Sequence, residues 1–117
     1  MKRFVVLYCA PQDVAARFAT ATPEEAAAGL QRWIEWAEEL GPALVDPGHP
    51  LGNAVKVTGV GVSSSETTVV GMSILQAGSR DEAVGLVANH HHLEWSDGSE
   101  IIVLEEMVVP ELRASSD

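Results

Sequence analysis

Apolar residues follow a β-strand pattern in four segments of the chain. Residues 3–9 (Arg-Phe-Val-Val-Leu-Tyr-Cys) form a continuous β-prone run, which is typical of a strand in the middle of a sheet. Valines alternate from Ala54 to Val62 with one change of phase, which predicts a second strand with a bulge. Thr67 to Ala77 predicts the strand that pairs with it as a hairpin, and Glu100 to Val109 predicts the last strand.

Two helices are predicted, and each opens with a capping box. Thr22-Pro23-Glu24-Glu25 combines an N-cap threonine, a proline at the first helical position and a glutamate three residues after the cap. Apolar residues then recur at three- and four-residue spacing up to Leu40, and Gly41-Pro42 predicts the end of this helix. Ser79-Arg80-Asp81-Glu82 begins the second helix, which the pattern ends near Asn89.

The order of these elements predicts the fold class. The stretch from Pro42 to Asn53 is rich in proline and glycine, so we expect an ordered loop there. The resulting order β-α-β-β-α-β is that of an α+β, ferredoxin-like domain with a four-stranded antiparallel sheet. Two helices cover one face of such a sheet, yet the predicted strands are apolar on both alternating sets of residues. An identical sheet from a second subunit is the expected cover, which predicts a homodimer.

Composition limits the class of protein further. The chain has 117 residues and a net charge of −10, from 17 acidic and 7 basic side chains. We expect a single domain over residues 1–110, a flexible tail over residues 111–117, and no nucleic-acid or anionic-membrane partner. Neither a signal-peptide pattern nor a membrane-length apolar run is recognised, so a soluble, cytoplasmic protein is expected. The single cysteine, Cys9, excludes an internal disulfide and is predicted to be a core residue.

Five short motifs lie in a characteristic order along the chain. They are the opening Met-Lys-Arg-Phe-Val-Val-Leu-Tyr, the Thr-Pro-Glu-Glu helix start, Gly-Pro-Ala-Leu-Val-Asp-Pro-Gly after the first helix, Ser-Arg-Asp-Glu-Ala before the second, and a histidine-rich step into the closing strand. In this order, from about Met1 to Pro110, they resemble the YCII-related (DGPF-like) proteins. The resemblance implies a dimeric ferredoxin-like α/β barrel. It also implies a superfamily shared with muconolactone isomerases and small monooxygenases, which bind apolar acids in a pocket between sheet and helices.

The resemblance also implies a candidate acid-base pair. The family has been proposed to use a histidine at the start of helix one and an aspartate at the end of helix two. In this chain Glu25 stands near the first place and Asn89 or His90 near the second, so a carboxylate and an imidazole are present with their positions exchanged. Ser64-Ser65-Glu66-Thr67 replaces the Asp-Gly-Pro-Phe motif of the related subgroup. The pair therefore does not carry over residue for residue.

The run His90-His91-His92 at the exit of the second helix is the main chemical candidate. Alternate residues of an extended backbone share a face, so His90 and His92 are predicted to point together and His91 away. Two imidazoles on one side would provide a general base and a donor that orients a ligand, with His90 and His92 as the catalytic residues. The alternative is that all three are solvated cations at a helix C-terminus, where the helix dipole favours them.

Helix one contributes two further candidates. Glu25 is expected to cap the helix, and a catalytic role would be additional to that. Trp33 and Trp36 are three residues apart and therefore adjacent on the helix surface. We expect one of them in the core and the other, with Trp36 as the candidate, beside a ligand or at the dimer contact.

The loop contributes Asp46 and His49 as candidate ligand-binding residues. A metal site would need His49 with Asp46 or Glu94 to join the histidine run, and nothing in the spacing requires this, so no metal and no cofactor are expected. The leading hypothesis is an isomerase or lyase that abstracts a proton from a small apolar acid or ketone, with His90 or His92 as base above a pocket. The alternatives are a non-catalytic, ligand-binding homodimer and a cofactor-independent monooxygenase of the same barrel class.

Overall fold

The computed structural model describes residues 1–11, 21–95 and 98–108. The predicted tail at 111–117 and Val109 lie outside these residues, and the last strand is shorter than predicted, since it ends at Glu105. The strands and helices of the described chain are, in order, β1 Lys2–Cys9, α1 Pro23–Leu40, β2 Leu44–Pro50, β3 Val55–Thr58, β4 Gly61–Ser64, β5 Val69–Ala77, α2 Arg80–Val87, α3 His92–Trp95 and β6 Glu100–Glu105.

Four of the strands form one antiparallel sheet, in the order β2-β5-β1-β6. The first strand is central, as its uninterrupted apolar run predicts. With α1 between β1 and β2 and α2 between β5 and β6, the arrangement is the ferredoxin-like one, and the chain has the predicted α+β class.

The second strand of the sheet is not the segment that the valine pattern predicts. It is β2, which lies in the stretch predicted as a loop and pairs with β5 through two register shifts. Proline is tolerated there because β2 is an edge strand, with one side of its backbone outside the ladder. Gly48 has a φ of +79°, and a Cβ at this residue would overlap the carbonyl oxygen of Met72. The bulge that accommodates Pro47 therefore depends on a glycine.

The valine-rich segment forms a separate two-stranded sheet, β3-β4. Gly59 and Val60 lie in the turn, and Val57 pairs with Val62 across the hairpin. The predicted hairpin with Thr67 to Ala77 is therefore wrong, because the change of phase across Gly59 marks a reversal of the chain and not a bulge. Val55, Val57 and Val62 share one face of this hairpin and are 64%, 73% and 69% exposed.

Both helices begin where their sequences predict, but only the first has the complete predicted capping box. The Thr22 hydroxyl accepts a hydrogen bond from the Glu25 amide at 3.1 Å, and the Glu25 carboxylate accepts one from the Thr22 amide at 3.4 Å. Helix α1 ends at Gly41, where φ is +55°. At the second helix the Ser79 hydroxyl accepts from the Glu82 amide at 3.1 Å, whereas the Glu82 carboxylate accepts from Gly78. None of the described helices is long and apolar enough to cross a membrane.

The core lies between one face of the sheet and helices α1 and α2. Alternate residues of β1 point into it, and its buried members are Phe4, Val6, Tyr8, Trp36, Leu75, Ala77, Ala83 and Val87. The opposite face of the sheet is a continuous apolar surface, which we call the open face. The residues that share it by register are Val5, Leu7, Met72, Ile74, Ile102 and Leu104. Ile102 and Leu104 are 42% and 48% exposed, so no described residue covers this part of the face.

Candidate functional site

The three histidines lie where α2 passes into α3, next to the end of the central strand. The His90 amide donates to the Val87 carbonyl at 3.0 Å, and the Leu93 amide donates to the His90 carbonyl at 3.1 Å. The connection is therefore a turn followed by one helical turn, and not the extended chain that the sequence predicts. This turn directs both His90 and His92 inward, where they are 1% and 8% exposed.

His90 is enclosed by aromatic rings from two other elements. Its ring centroid lies 4.5 Å from that of Trp36, 4.9 Å from that of Tyr8 and 5.0 Å from that of Trp33. We call the whole group the histidine-aromatic cluster, and its members are Tyr8, Trp33, Trp36, His90, His91 and His92. The cluster joins the end of β1, the second half of α1 and the start of α3 into one packed site.

The hydrogen bonds of His90 determine which of its nitrogens carries the proton. The His92 amide donates to His90 Nδ1 at 3.0 Å, so this nitrogen uses its lone pair as an acceptor. In a neutral imidazole the proton is then on Nε2, which makes Nε2 a donor. His90 Nε2 is buried and has no hydrogen-bond partner among the described residues. The cluster thus presents a buried N–H group that lacks an acceptor, and such a group calls for a functional explanation.

The surroundings of His90 hold its ring in the neutral form. Burial lowers the pKa of His90 to about 3, and the nearby His91, His92 and Arg32 act in the same direction. At neutral pH His90 is therefore an uncharged hydrogen-bond donor, because its acceptor nitrogen is engaged and its pKa is far below the ambient pH.

The other two histidines have different partners. His92 Nε2 lies 2.8 Å from the Cys9 carbonyl oxygen, so it donates there and ties α3 to β1. His91 is half-buried and stacks on His90, with 4.3 Å between ring centroids and 25° between ring planes. Burial lowers the pKa of His91, Arg32 and His92 lower it further, and Glu94 opposes them. His90 and His92 both point inward, as the sequence predicts. His91, which the sequence predicts to point away, stacks on His90 instead.

Tyr8 connects the cluster to the edge strand through a chain of hydrogen bonds. Its hydroxyl donates to Ser73 Oγ at 3.0 Å, and Ser73 Oγ donates to the Pro47 carbonyl at 2.8 Å. Burial raises the pKa of Tyr8 to about 12, against a smaller lowering by the Ser73 hydrogen bond. Tyr8 therefore remains protonated at neutral pH and holds its ring beside the histidines.

The remaining candidate residues lie apart from this cluster, except for Trp36. Trp36 contacts His90 and donates from its indole nitrogen to the Leu86 carbonyl at 3.2 Å. Glu25 is exposed in its capping box, eight residues and therefore about 12 Å along the helix axis from Trp33. Asp46 accepts a hydrogen bond from the Gly48 amide at 2.8 Å and so shapes the bulge of β2, where His49 is exposed.

Neither a metal-ligand set nor the expected pocket is found at the histidines within the described ranges. No group of three or more His, Cys, Asp or Glu residues among 1–11, 21–95 and 98–108 is placed to hold a metal ion. A cavity of about 350 Å³ lies near the start of β1, and its lining residues are Lys2, Ser79, Arg80, Asp81 and Glu105. None of these residues belongs to the cluster, and Lys2 is six residues, or about 20 Å of strand, from Tyr8.

Three members of the site, Tyr8, Trp33 and His91, are not assigned a catalytic or ligand-binding role by the sequence. For Trp33 the available signal is its spacing from Trp36, which puts both rings on the same part of the helix surface. Tyr8 occupies an inward position of β1 in phase with Phe4 and Val6, and a tyrosine in such a position needs a partner for its hydroxyl. An extended backbone would point His91 outward, whereas the turn before α3 brings its ring onto His90.

Comparison with known proteins agrees with the fold class defined above, a ferredoxin-like α+β domain. No protein-family model matches the chain, and no curated protein matches it. Among solved structures two chains match. One is 5-chloro-2-hydroxyhydroquinone dehydrochlorinase (TftG) from Burkholderia phenoliruptrix AC1100, in complex with 2,5-dihydroxybenzoquinone. It is 20% identical with a TM-score of 0.53, and the match covers 95% of this chain and 98% of that chain. At this identity the similarity shows a shared fold.

Proposed function

We propose that this protein is a small-molecule enzyme of the lyase or isomerase type, and that the histidine-aromatic cluster is its active site. The observation that carries this proposal is the buried, unpartnered Nε2–H of His90. Leaving a polar group buried without a partner costs about 1–3 kcal/mol, so a site that retains one is explained if a ligand supplies the acceptor.

The chemistry of His90 suits an acceptor that becomes more negative during the reaction. A neutral imidazole N–H in an apolar environment stabilises a developing oxyanion, such as the enolate formed when a proton leaves the carbon next to a carbonyl group. The hydrogen bond from the His92 amide occupies the lone pair that His90 would need as a base. His90 therefore takes the role of donor to a substrate oxygen, in place of the base that the sequence suggests.

We infer the substrate class from the surroundings of His90. The rings of Trp33, Trp36 and Tyr8 pack on the His90 ring at centroid distances of 4.5–5.0 Å, so a ligand that reaches His90 Nε2 would meet aromatic groups. Such surroundings suit a small, largely apolar molecule with one carbonyl or enol oxygen, such as an apolar acid or ketone. The dehydrochlorinase of the same fold, which binds a dihydroxybenzoquinone, and the resemblance to YCII-related proteins both support a lyase-type reaction on such a molecule.

We also propose that the enzyme is a homodimer in which the open faces of two sheets pack together. The open face is apolar along three strands, and Ile102 and Leu104 remain partly exposed on it. A stable interface typically buries about 800 Å² per subunit, so the proposed contact extends along all three of these strands. The histidine-aromatic cluster lies on the opposite, helix-covered face, so it stays clear of this contact.

The first experiment measures binding of 2,5-dihydroxybenzoquinone by isothermal titration calorimetry. The wild-type protein is expected to bind it, and His90→Phe, which keeps a ring but removes the donor, is expected to weaken binding at least tenfold. His90→Gln retains an N–H donor and should recover part of the affinity. His49→Phe, at an exposed histidine of β2, is the matched control and should bind as the wild type does.

Two results would contradict the proposal. Absence of binding to the wild-type protein would remove the ligand that His90 is meant to contact, and equal affinity in His90→Phe would show that its N–H is not used. Binding that depends on His90, without turnover of any small ketone, enol or quinone, would favour the non-catalytic alternative.

A further inference from the structure

We propose that His91 is the proton acceptor of this site, a catalytic role that acts together with the donor on His90. This inference rests on the proposed function, because it assigns the base for the same reaction. The sequence places His91 on the outside, and the structure instead stacks it on His90.

The stacking places two chemically different imidazoles side by side. Their centroids are 4.3 Å apart and their planes are within 25° of parallel, so the two rings stack face to face. A small ligand that accepts a hydrogen bond from His90 Nε2 is therefore within one ring spacing of His91. In a substrate the carbonyl oxygen is close to the hydrogen on the adjacent carbon. His90 is therefore placed to bind the oxygen while His91 takes the proton from that carbon.

The other polar groups of the cluster are already engaged in different roles. The Nδ1 atom of His90 accepts the His92 amide, and His92 Nε2 donates to the Cys9 carbonyl. The Tyr8 hydroxyl donates to Ser73, and burial keeps Tyr8 protonated. By contrast, no hydrogen bond to a ring nitrogen of His91 occurs within the described ranges. The lone pair of a neutral His91 is thus the basic group that the cluster leaves available.

The environment of His91 suits a base that must release its proton again. Its ring centroid lies 5.6 Å from that of Trp33, and it feels the charges of Arg32 and Glu94, whose closest atoms are 2.7 Å apart. Arg32 and His92 disfavour a positive charge on His91, whereas Glu94 favours one. His91 is only half-buried, so water reaches part of its ring, whereas His90 is 1% exposed.

His91 and His90 act together in a proton abstraction. The lone pair of His91 takes the proton from the carbon next to the carbonyl, and the C–H electron pair forms the C=C bond of an enolate. The negative oxygen accepts the hydrogen bond from His90 Nε2. In an isomerisation His91 returns the proton to another carbon of the enolate. In an elimination the electron pair expels an anionic leaving group, and His91 loses its proton to water.

A phenol tests this assignment without knowledge of the natural substrate. The probe is 4-nitrophenol, because its phenolate absorbs at longer wavelength than the neutral phenol. Bound in the site, it would place its oxygen at His90 and give its proton to His91. We expect the ratio of phenolate to phenol to be at least tenfold higher in the complex than in free solution at the same pH. In His91→Gln this ratio should fall at least tenfold, whereas His49→Gln should match the wild type.

A second measurement reads the proton on His91 directly in the wild-type protein. The 15N shifts of the His91 ring are expected to change from neutral to protonated when 4-nitrophenol binds, while those of His90 remain neutral. A bound probe with His91 still neutral would overturn the role of His91 and leave the donor role of His90 intact. No binding of 4-nitrophenol to the wild type would instead count against the proposed function itself. The two failures are therefore distinguishable.

Discussion

His90 combines near-complete burial with a basic ring, and this combination makes the stability of the protein depend on pH. Its pKa is about 3 in the folded state and about 6.5 when the chain is unfolded. Between these values the unfolded state binds a proton that the folded state does not. The contribution of His90 to stability is therefore lost as the pH falls from about 6.5 towards 3. From pH 7 to pH 5 this amounts to about 2 kcal/mol.

Urea unfolding at pH 7 and pH 5 checks this prediction. We expect the free energy of unfolding of the wild type to fall by about 2 kcal/mol more than that of His90→Phe, which has no titrating ring. His49→Phe should retain the pH dependence of the wild type, since His49 is exposed in β2. An equal fall in wild type and His90→Phe would show that the His90 ring takes up a proton in the folded state.

The hydrogen-bond chain from Tyr8 through Ser73 to Pro47 allows a second prediction. Ser73→Ala leaves the buried Tyr8 hydroxyl without its acceptor, which costs about 1–3 kcal/mol. Tyr8→Phe removes the same hydrogen bond together with the hydroxyl and should cost less, about 1 kcal/mol. We therefore expect the double variant to be more stable than Ser73→Ala alone. Thermal unfolding of the three variants measures this order, and additive losses would contradict it.

The amino-acid sequence predicts which histidines form the site but not what each ring nitrogen does. The run of His90, His91 and His92 is visible as a pattern, and the structure brings all three rings together. Which nitrogen of His90 accepts and which donates depends on a backbone amide placed by the turn before α3. Side-chain spacing contains no information about that amide, so the sequence does not show that the Nδ1 lone pair of His90 is already engaged.

Among the helices and strands, neighbouring residues predict some elements correctly and miss the edge strand. The capping box at Thr22 and the central strand are specified by neighbouring residues, and both form as predicted. The edge strand β2 falls in a predicted loop because Pro47 and Pro50 argue against a strand. Its pairing with β5 is a long-range contact that outweighs this local preference, and only the edge of the sheet accommodates it. The more regular valine segment forms its own hairpin instead.

The bulge of β2 depends on Gly48. An alanine there would have an unfavourable positive φ, and its Cβ would collide with the backbone of β5 at Met72. We expect Gly48→Ala to destabilise the fold by at least about 3 kcal/mol, because backbone atoms cannot move aside without breaking the β2-β5 pairing. Chemical denaturation measures the loss. Gly52→Ala, four residues further and with no atom within 4 Å of its added methyl group, should be neutral or slightly stabilising.

At the scale of the whole molecule, the burial of the sheet is unequal on its two faces. The face with Phe4, Val6 and Tyr8 is closed by helices, and it also holds the histidine-aromatic cluster. The open face is equally apolar, and on it Ile102 and Leu104 are 42% and 48% exposed. The apolarity of both alternating sets is readable in the amino-acid sequence, which is why the pattern alone predicts a partner sheet. A face that groups six apolar residues on a chain with a net charge of −10 is well suited to be buried against a second copy.

The dimer is tested by placing a charge on this face. Ile102 lies opposite Leu7 of the central strand, so Ile102→Glu puts a carboxylate inside the proposed interface, where the two-fold axis brings in the same charge from the partner. We expect the wild type to have twice the chain mass of 12.4 kDa by light scattering after size exclusion, and Ile102→Glu to approach the monomer mass. Leu30→Glu adds the same charge to an exposed residue of α1 and should remain dimeric. A monomeric wild type would refute the dimer, as would an Ile102→Glu protein with unchanged mass, while the histidine-aromatic cluster on the other face would retain its geometry in either case.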